Sequence, residues 1–261
     1  SYTKESDTMI QELSIINSTP KIRRPLKQGR FGNPLLSRKQ VERCVELLAE
    51  SISNYYCSMA NGGDDVVFLT VMHGGKTFSS DLAPLCASQP APSLKDPGYR
   101  SWYASYRVVD RYIDIKSYDG QIRGEPVVMA SDLTRENLAG KRVLLIDDIC
   151  ETGNTIVETI QFIRKLCRYS QQDIDRLVRT VTFLWKPECP SQSLRPDWYG
   201  YRTSMHFLSG YGMDSKDGSC RQLPAIFIDD NRQSMVKKPS WAFRFDQSET
   251  GSPINRSQKP R

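Results

Sequence analysis

Two adjacent carboxylates and a short hydroxyl-rich loop lie close together near the middle of the chain. Asp147 and Asp148 are followed, after three residues, by Thr152-Gly153-Asn154-Thr155. A glycine permits a tight turn, and backbone N–H groups at the start of a following helix can hold a phosphate, assisted by threonine hydroxyls. Paired carboxylates suit vicinal hydroxyls or a hydrated Mg²⁺ ion. The pattern predicts a phosphate site beside a sugar or metal site, although acids also end many buried strands and Thr-Gly is an ordinary turn.

The segments around this loop alternate between strand and helix patterns. Five runs rich in apolar and β-branched residues predict strands: 66–72, 106–118, 142–148, 177–185 and 225–228. Apolar residues at helical spacing predict helices that begin after Ser37, around Phe78 and at Thr155. Strands that alternate with helices form βαβ units, so the predicted fold class is α/β, with a mostly parallel twisted sheet flanked by helices. Such a sheet places Asp147 and Asp148 at the carboxyl end of a strand, where open α/β sheets bind ligands.

The acid pair and the loop belong to a stretch of thirteen residues, Val143-Leu144-Leu145-Ile146-Asp147-Asp148-Ile149-Cys150-Glu151-Thr152-Gly153-Asn154-Thr155. This stretch resembles the signature of the type I phosphoribosyltransferases. The resemblance extends over about residues 37 to 230 and implies the type I phosphoribosyltransferase fold. It also implies that the loop 152–155 binds the 5′-phosphate of phosphoribosyl pyrophosphate, while Asp147 and Asp148 meet the ribose hydroxyls.

Further segments resemble the hypoxanthine-guanine branch of that family. That branch has a "KPDFVGF … FVVGYALD" stretch. Its order and spacing are matched by Lys186, Arg195-Pro196-Asp197-Trp198-Tyr199-Gly200-Tyr201 and His206-Phe207-Leu208-Ser209-Gly210-Tyr211-Gly212-Met213-Asp214. The resemblance implies that Lys186 donates to the purine O6, Phe207 stacks on the base and Leu208 offers backbone contacts. It further implies that Asp214, with the acid pair, helps to hold Mg²⁺ and that Arg221 approaches the pyrophosphate.

Two more segments occupy positions that have functions in the family, and two residues depart from the family pattern. Lys116-Ser117-Tyr118 resembles the mobile loop that closes over the reaction centre, and His73-Gly74-Gly75 occupies the place of the pyrophosphate loop. Glu151 stands where the branch has its catalytic Asp, which moves the carboxylate by about 1.5 Å, and a misplacement of about 1 Å can cost a hundredfold in rate. His73 stands where the family usually has Lys, and a neutral imidazole is a poorer counter-charge than an ammonium.

The resemblance therefore implies a Mg²⁺-dependent transfer of 5-phosphoribose to hypoxanthine or guanine by a homo-oligomeric enzyme, with Glu151 and Lys186 as the catalytic side chains. The two departures keep an alternative open, in which the domain retains the fold but serves as a structural or assembly subunit of a ribonucleoprotein such as a mitochondrial ribosome.

The distribution of charge supports that alternative and divides the chain. Residues 21–30 carry five basic and no acidic side chains, and 231–261 carry seven basic against two acidic, so the net charge of +6 leaves −4 for the remainder. We expect a basic arm at 1–36, the phosphoribosyltransferase domain at 37–230 and a basic tail at 231–261, with RNA as a partner suited to the ends. The lack of a long apolar run predicts that no segment spans a membrane. Cysteines that occur singly are typical of a reducing compartment, so we expect an intracellular, cytoplasmic location. The mitochondrial matrix is the alternative if a targeting peptide has been removed.

Overall fold

The computed structural model describes residues 33–59, 64–88, 106–116, 127–204, 206–214 and 220–228, with the backbone alone at 116 and 127–130. Of the expected arm 1–36, only the last four residues lie in this part of the chain. The expected tail 231–261 lies outside it, as do Ser117 and Tyr118 of the expected mobile loop.

The main sheet consists of six strands: β1 (Asp65–Val71), β2 (Arg107–Lys116), β3 (Val127–Ser131), β4 (Arg142–Cys150), β5 (Val178–Trp185) and β6 (Trp198–Arg202). Their order is β3-β2-β1-β4-β5-β6. Strands β2, β1, β4, β5 and β6 run parallel to one another, whereas β3 pairs antiparallel with β2 at the edge. The predicted mostly parallel sheet is therefore confirmed, and β4, which carries the acid pair, lies in its interior between β1 and β5.

Helices cover both faces of the sheet: α1 (Arg38–Met59), α2 (Gly75–Ser88), α3 (Arg135–Leu138), α4 (Asn154–Cys167) and α5 (Gln171–Leu177). Helices α1 and α2 pack in one core cluster, with Phe68 and Phe183 from the sheet, and α4 packs in a second cluster with Val67 and Leu145. Burial on both faces explains why β1 and β4 are largely apolar runs rather than alternating ones, and all eight residues of β5 are buried although Arg179 is among them.

Helix α1 begins as the sequence predicts. The amide of Gln40 donates to Ser37 Oγ over 3.4 Å, and the amide of Ser37 donates to Gln40 Oε1 over 3.0 Å. This reciprocal capping satisfies two backbone donors that the first turn of a helix leaves unpaired. Val41, Val45 and Ile52 are then buried along one face.

Several short elements were not predicted from the sequence. Helices α3 and α5 each begin with a capping box, formed by Thr134 with Asn137 and by Ser170 with Asp173. With four and seven residues, they are too short for a 3.6-residue period to become visible. Strands β3 and β6, of five residues each, were also missed as strands.

A small antiparallel unit lies beside the sheet. Strand β7 (Leu208–Ser209) pairs with β8 (Phe227–Ile228), and Leu36 forms an isolated bridge with Ile226. The strand predicted at 225–228 is thus confirmed over its last two residues. All seven cysteines lie in the described ranges and are free thiols. None of the helices in those ranges is long and apolar enough to cross a membrane.

Candidate active site

The acid pair lies at the carboxyl end of β4 and is buried. Asp147 Oδ1 accepts the amide N–H of Asp148 over 2.9 Å, and Asp148 Oδ1 accepts that of Ile149 over 2.8 Å. Burial raises the pKa of both carboxyls, and the neighbouring charge of Asp148 raises the pKa of Asp147 further. Each acid thus uses one oxygen to accept the amide N–H of the next residue in β4.

The phosphate loop connects β4 to α4. Gly153 has a φ of 82°, and its carbonyl accepts the amide N–H of Val157 over 3.0 Å as helix α4 begins. The amide of Asn154 donates to Thr152 Oγ1 over 3.2 Å. A Cβ on Gly153 would lie 3.1 Å from Leu194 Cβ. The positive φ and the contact with Leu194 favour glycine here, in agreement with the tight turn that the sequence indicates.

Glu151 and Lys186 are brought together at the ends of β4 and β5. The Nζ of Lys186 donates to Glu151 Oε2 over 2.8 Å, and the backbone N–H of Lys186 donates to the carbonyl of Cys150 over 2.9 Å. The Lys186 side chain is 5% exposed and that of Glu151 is 44% exposed. A buried ammonium needs a partner of opposite charge, and here the carboxylate of Glu151 is that partner.

The segment at His73-Gly74-Gly75 lies against the acid pair. His73 has a φ of 72°, and its Nε2 is 3.4 Å from Asp114 Oδ2 on β2. A Cβ on Gly74 would overlap the carboxylate of Asp148. The segment that the resemblance assigns to pyrophosphate thus lies beside the acid pair, and no sequence signal indicated that Asp114 would face His73.

Asp214 and Arg221 form an ion pair with each other. Asp214 Oδ2 accepts from Arg221 Nε over 2.8 Å and lies 2.7 Å from its Nη2. Phe207 is 39% exposed, and Leu208 is buried in β7. Gly212, with a φ of 93°, is so close to Gly74 that a Cβ on it would overlap the Gly74 carbonyl. The Gly210–Met213 turn is thus joined to the His73 segment.

The described residues include no group of three or more His, Cys, Asp or Glu side chains that could hold a metal ion. Asp147, Asp148 and Asp214, the expected ligands of Mg²⁺, therefore do not form one closed cluster. Asp214 Oδ1 is buried without a hydrogen-bond partner. Mg²⁺ commonly keeps several waters and takes one or two carboxylates together with substrate phosphates, and an arrangement of separate acids fits that mode.

Two contacts that hold the site were not predicted. The Tyr211 hydroxyl donates to Asp81 Oδ2 over 2.8 Å and connects the Gly210–Met213 turn to α2. Ser193 contacts the phosphate loop through the carbonyl of Thr152. Neither contact has a sequence signal, because the partners are more than forty residues apart and belong to no common motif. Of the expected mobile loop, the backbone of Lys116 at the end of β2 is described.

Comparisons with known proteins show which sequences and folds this chain resembles. The family model of the phosphoribosyl transferase domain matches residues 35–216. The hypoxanthine-guanine phosphoribosyltransferase of Mycobacterium tuberculosis (strain H37Rv) is 26% identical over 197 residues, which cover 75% of this chain and 85% of that protein. The enzyme of the same name from Mus musculus is 30% identical over 154 residues, covering 59% of this chain and 63% of that protein.

Solved structures show the same fold. A hypoxanthine phosphoribosyltransferase from Trypanosoma cruzi, in complex with the product IMP, superimposes with a TM-score of 0.61 at 19% identity and covers 79% of this chain and 98% of that one. A hypoxanthine phosphoribosyltransferase from Staphylococcus aureus gives a TM-score of 0.59 at 21% identity, covering 77% and 94% of the two chains.

Proposed function

Because the chain belongs to the phosphoribosyltransferase family, as a type I member similar to the hypoxanthine-guanine enzymes, we propose that it transfers 5-phosphoribose from phosphoribosyl pyrophosphate to a 6-oxopurine. Hypoxanthine and guanine are the proposed acceptors, and purine salvage is the proposed role. The family is one of transferases, which supports the expectation that the chain is an enzyme.

The observation that carries this proposal is the contact of Lys186 with Glu151 at the carboxyl ends of β4 and β5, where the phosphate loop also begins. An ammonium has three donor hydrogens, so Lys186 can keep Glu151 as a partner and still donate to the 6-oxo group of a purine. Glu151, which is partly exposed, is the group that can receive a proton from the ring. We therefore assign base recognition to Lys186 and proton transfer to Glu151, with Phe207 as the stacking face and Leu208 as a source of backbone contacts.

The phosphate loop and the acid pair would hold the sugar. Thr152, Gly153, Asn154 and Thr155 would bind the 5′-phosphate, since the loop ends at the N-terminus of the fourteen-residue helix α4. In the reaction, a bond forms between purine N9 and ribose C1, and the bond from C1 to pyrophosphate breaks. The proton on N7 of the base goes to Glu151, and the electron pair of the broken bond leaves with pyrophosphate.

The His73 segment and the Asp214–Arg221 pair would hold the leaving group. We assign His73, Gly74 and Arg221 to pyrophosphate, and Asp147, Asp148 and Asp214 to Mg²⁺. The ion would neutralise charge on the pyrophosphate when bound. Asp214 and Arg221 are already paired, so their ion pair would open or be shared when the substrate arrives.

Lys116, Ser117 and Tyr118 remain the proposed closing loop, which would exclude water from the reactive sugar. We also retain homo-oligomerisation, a cytoplasmic or mitochondrial-matrix location and RNA contact through the basic ends as proposals. The alternative function as a ribonucleoprotein subunit has no support from the relatives described above, which are transferases.

The test is the formation of nucleotide from phosphoribosyl pyrophosphate and hypoxanthine or guanine with Mg²⁺. Glu151→Gln should lower kcat by about a hundredfold, because it removes a general base. Glu188→Gln is the matched control, since Glu188 is exposed two residues after Lys186 and the chemical change is identical. Equal activity of wild type and Glu151→Gln, or no nucleotide from the wild type, would contradict the proposal.

A further inference from the structure

Residues 187–194, between β5 and β6, connect the base side of the site to its phosphate side. This segment begins directly after Lys186, and at its other end Ser193 and Leu194 lie against the phosphate loop. The amide of Gln192 donates to the carbonyl of Cys189 over 3.0 Å, and the amide of Cys189 donates to that of Lys186 over 3.2 Å. The segment is therefore folded on itself and is held to the end of β5.

Ser193 holds a single peptide of the phosphate loop through two donors. Its backbone N–H donates to the carbonyl of Thr152 over 2.8 Å, and its hydroxyl donates to the same oxygen over 2.7 Å. The hydroxyl also lies 3.4 Å from Asn154 Oδ1, but its one proton goes to the nearer acceptor.

The direction of that carbonyl determines the direction of the next amide. In a trans peptide the C=O and the following N–H point to opposite sides. Because Ser193 holds the carbonyl of Thr152 on the side of residues 187–194, the N–H of Gly153 points away from them. Leu194 Cβ lies 3.1 Å from the position that a Cβ on Gly153 would take, so Leu194 packs against Gly153 and limits how far the Gly153 peptide can turn back.

We propose that Ser193 is a positioning residue that orients the amide N–H of Gly153 toward the 5′-phosphate of the sugar substrate. This inference rests on the proposed function, since the phosphate is that of phosphoribosyl pyrophosphate. Ser193 touches no reacting atom, and it acts through Thr152 and Gly153.

The experiment uses three ligands that separate the two ends of the sugar substrate. Ribose 5-phosphate carries the 5′-phosphate alone, pyrophosphate carries the leaving group alone, and phosphoribosyl pyrophosphate carries both. Titration calorimetry of the full chain with Mg²⁺ should show that Ser193→Ala raises the Kd for ribose 5-phosphate and phosphoribosyl pyrophosphate about two- to tenfold, because one exposed hydrogen bond is lost while the backbone bond stays. The Kd for pyrophosphate should not change.

Two further variants separate positioning from general stability. Ser193→Thr keeps the hydroxyl and should restore the Kd for ribose 5-phosphate to within about twofold of the wild type. Ser191→Ala removes an exposed hydroxyl of the same segment, which contacts Cys189 Sγ and not the loop, and should change none of the three affinities.

Steady-state kinetics should agree: Ser193→Ala should raise KM for phosphoribosyl pyrophosphate and leave KM for the base unchanged. An equal loss of affinity for pyrophosphate and ribose 5-phosphate, or no loss for either, would overturn the role of Ser193 while nucleotide formation by the wild type still stands. A wild type that binds neither sugar phosphate would overturn both this inference and the proposed function.

Discussion

Glu151 Oε2 lies 2.8 Å from the Nζ of Lys186, and this contact joins two residues that are 35 positions apart in the sequence. The side chain of Lys186 is almost fully enclosed, whereas nearly half of the Glu151 side chain faces solvent. Removing Glu151 would leave a buried cation without its partner, so this residue affects stability as well as chemistry.

The first prediction concerns which purines Lys186 selects. The wild type should prefer hypoxanthine to adenine by orders of magnitude in kcat/KM, because an exocyclic amine would leave the buried ammonium without an acceptor at that position. Lys186→Met should reduce this ratio to about tenfold or less. The comparison is made by competition between the two bases in a nucleotide-formation assay, and Lys165→Met on α4 serves as the control. Comparable use of both bases by the wild type would show that Lys186 does not recognise the 6-oxo group of the purine.

The second prediction concerns how the buried Asp147 affects the stability of the folded protein at different pH values. Burial raises the pKa of Asp147, so the folded state keeps a proton that the unfolded chain releases. The stability that this group contributes is therefore complete below its unfolded pKa of about 3.9 and is lost as the pH rises through the raised value. Asp147→Asn should raise Tm by about 2 °C or more at pH 7 and by less at pH 4, in protein freed of metal with a chelator.

Asp173 is the matched control for that experiment. Its pKa is lowered, chiefly by the hydrogen bond from the Ser170 side chain, so its contribution to stability is present above its unfolded pKa and is lost as the pH falls. Asp173→Asn should therefore lower Tm at pH 7 and change it less at pH 4. A decrease in Tm for both variants at pH 7 would mean that the charge of Asp147 is compensated in the folded protein.

The third prediction separates steric overlap from backbone strain at Gly212. Gly212 and Gly140 both have positive φ values, of 93° and 78°, but a Cβ on Gly212 would overlap the Gly74 carbonyl, while Gly140 has open space. Each alanine variant should lose about 1–3 kcal/mol of stability because of its φ. Gly212→Ala alone should raise KM for phosphoribosyl pyrophosphate by about tenfold or more, since it displaces Gly74. Kinetics and thermal unfolding of both variants decide the matter, and an unchanged KM for Gly212→Ala would separate Gly74 from the substrate.

The fourth prediction concerns the charge at His73. An ammonium stays charged across the neutral range, whereas histidine side chains as a class change their charge there. His73→Lys should lower KM for phosphoribosyl pyrophosphate severalfold at pH 8 and leave kcat within about twofold. Lys76→Gln, which alters the exposed cation three residues later, tests whether that residue compensates for the histidine. An increase in KM for His73→Lys would indicate that Asp114 and not the pyrophosphate takes up the new charge.

Much of the fold follows from the sequence because long apolar and β-branched runs indicate buried strands, and a capped amphipathic helix has a clear 3.6-residue period. The strands β1, β4 and β5 and the start of α1 at Ser37 are such elements. Short elements such as α5 depend on a capping box and on packing, and seven residues contain too few periods to predict them.

In the site, likewise, single residues could be predicted from the sequence, whereas the contacts between them could not. Glu151 and Lys186 were each predicted from their motifs, but their contact depends on how β4 and β5 align, which no motif contains. The contact between His73 and Asp114 depends in the same way on the pairing of β1 with β2. The pairing of Asp214 with Arg221 was also unexpected, since the family resemblance gave each of them a different ligand.

The alignment of β4 with β5 has a consequence for which insertions and deletions the chain can tolerate. Cys150 is paired with Trp185, so Glu151 and Lys186 follow as the next residues of two parallel strands. Successive side chains of a strand point to opposite faces, and a one-residue deletion within β5 would turn Lys186 to the other face of the sheet. A deletion among residues 187–192 would leave Lys186 and Glu151 in contact and would instead shift Ser193 along the phosphate loop. A length change before Lys186 would thus weaken binding of the purine, whereas a length change after it would weaken binding of the sugar phosphate.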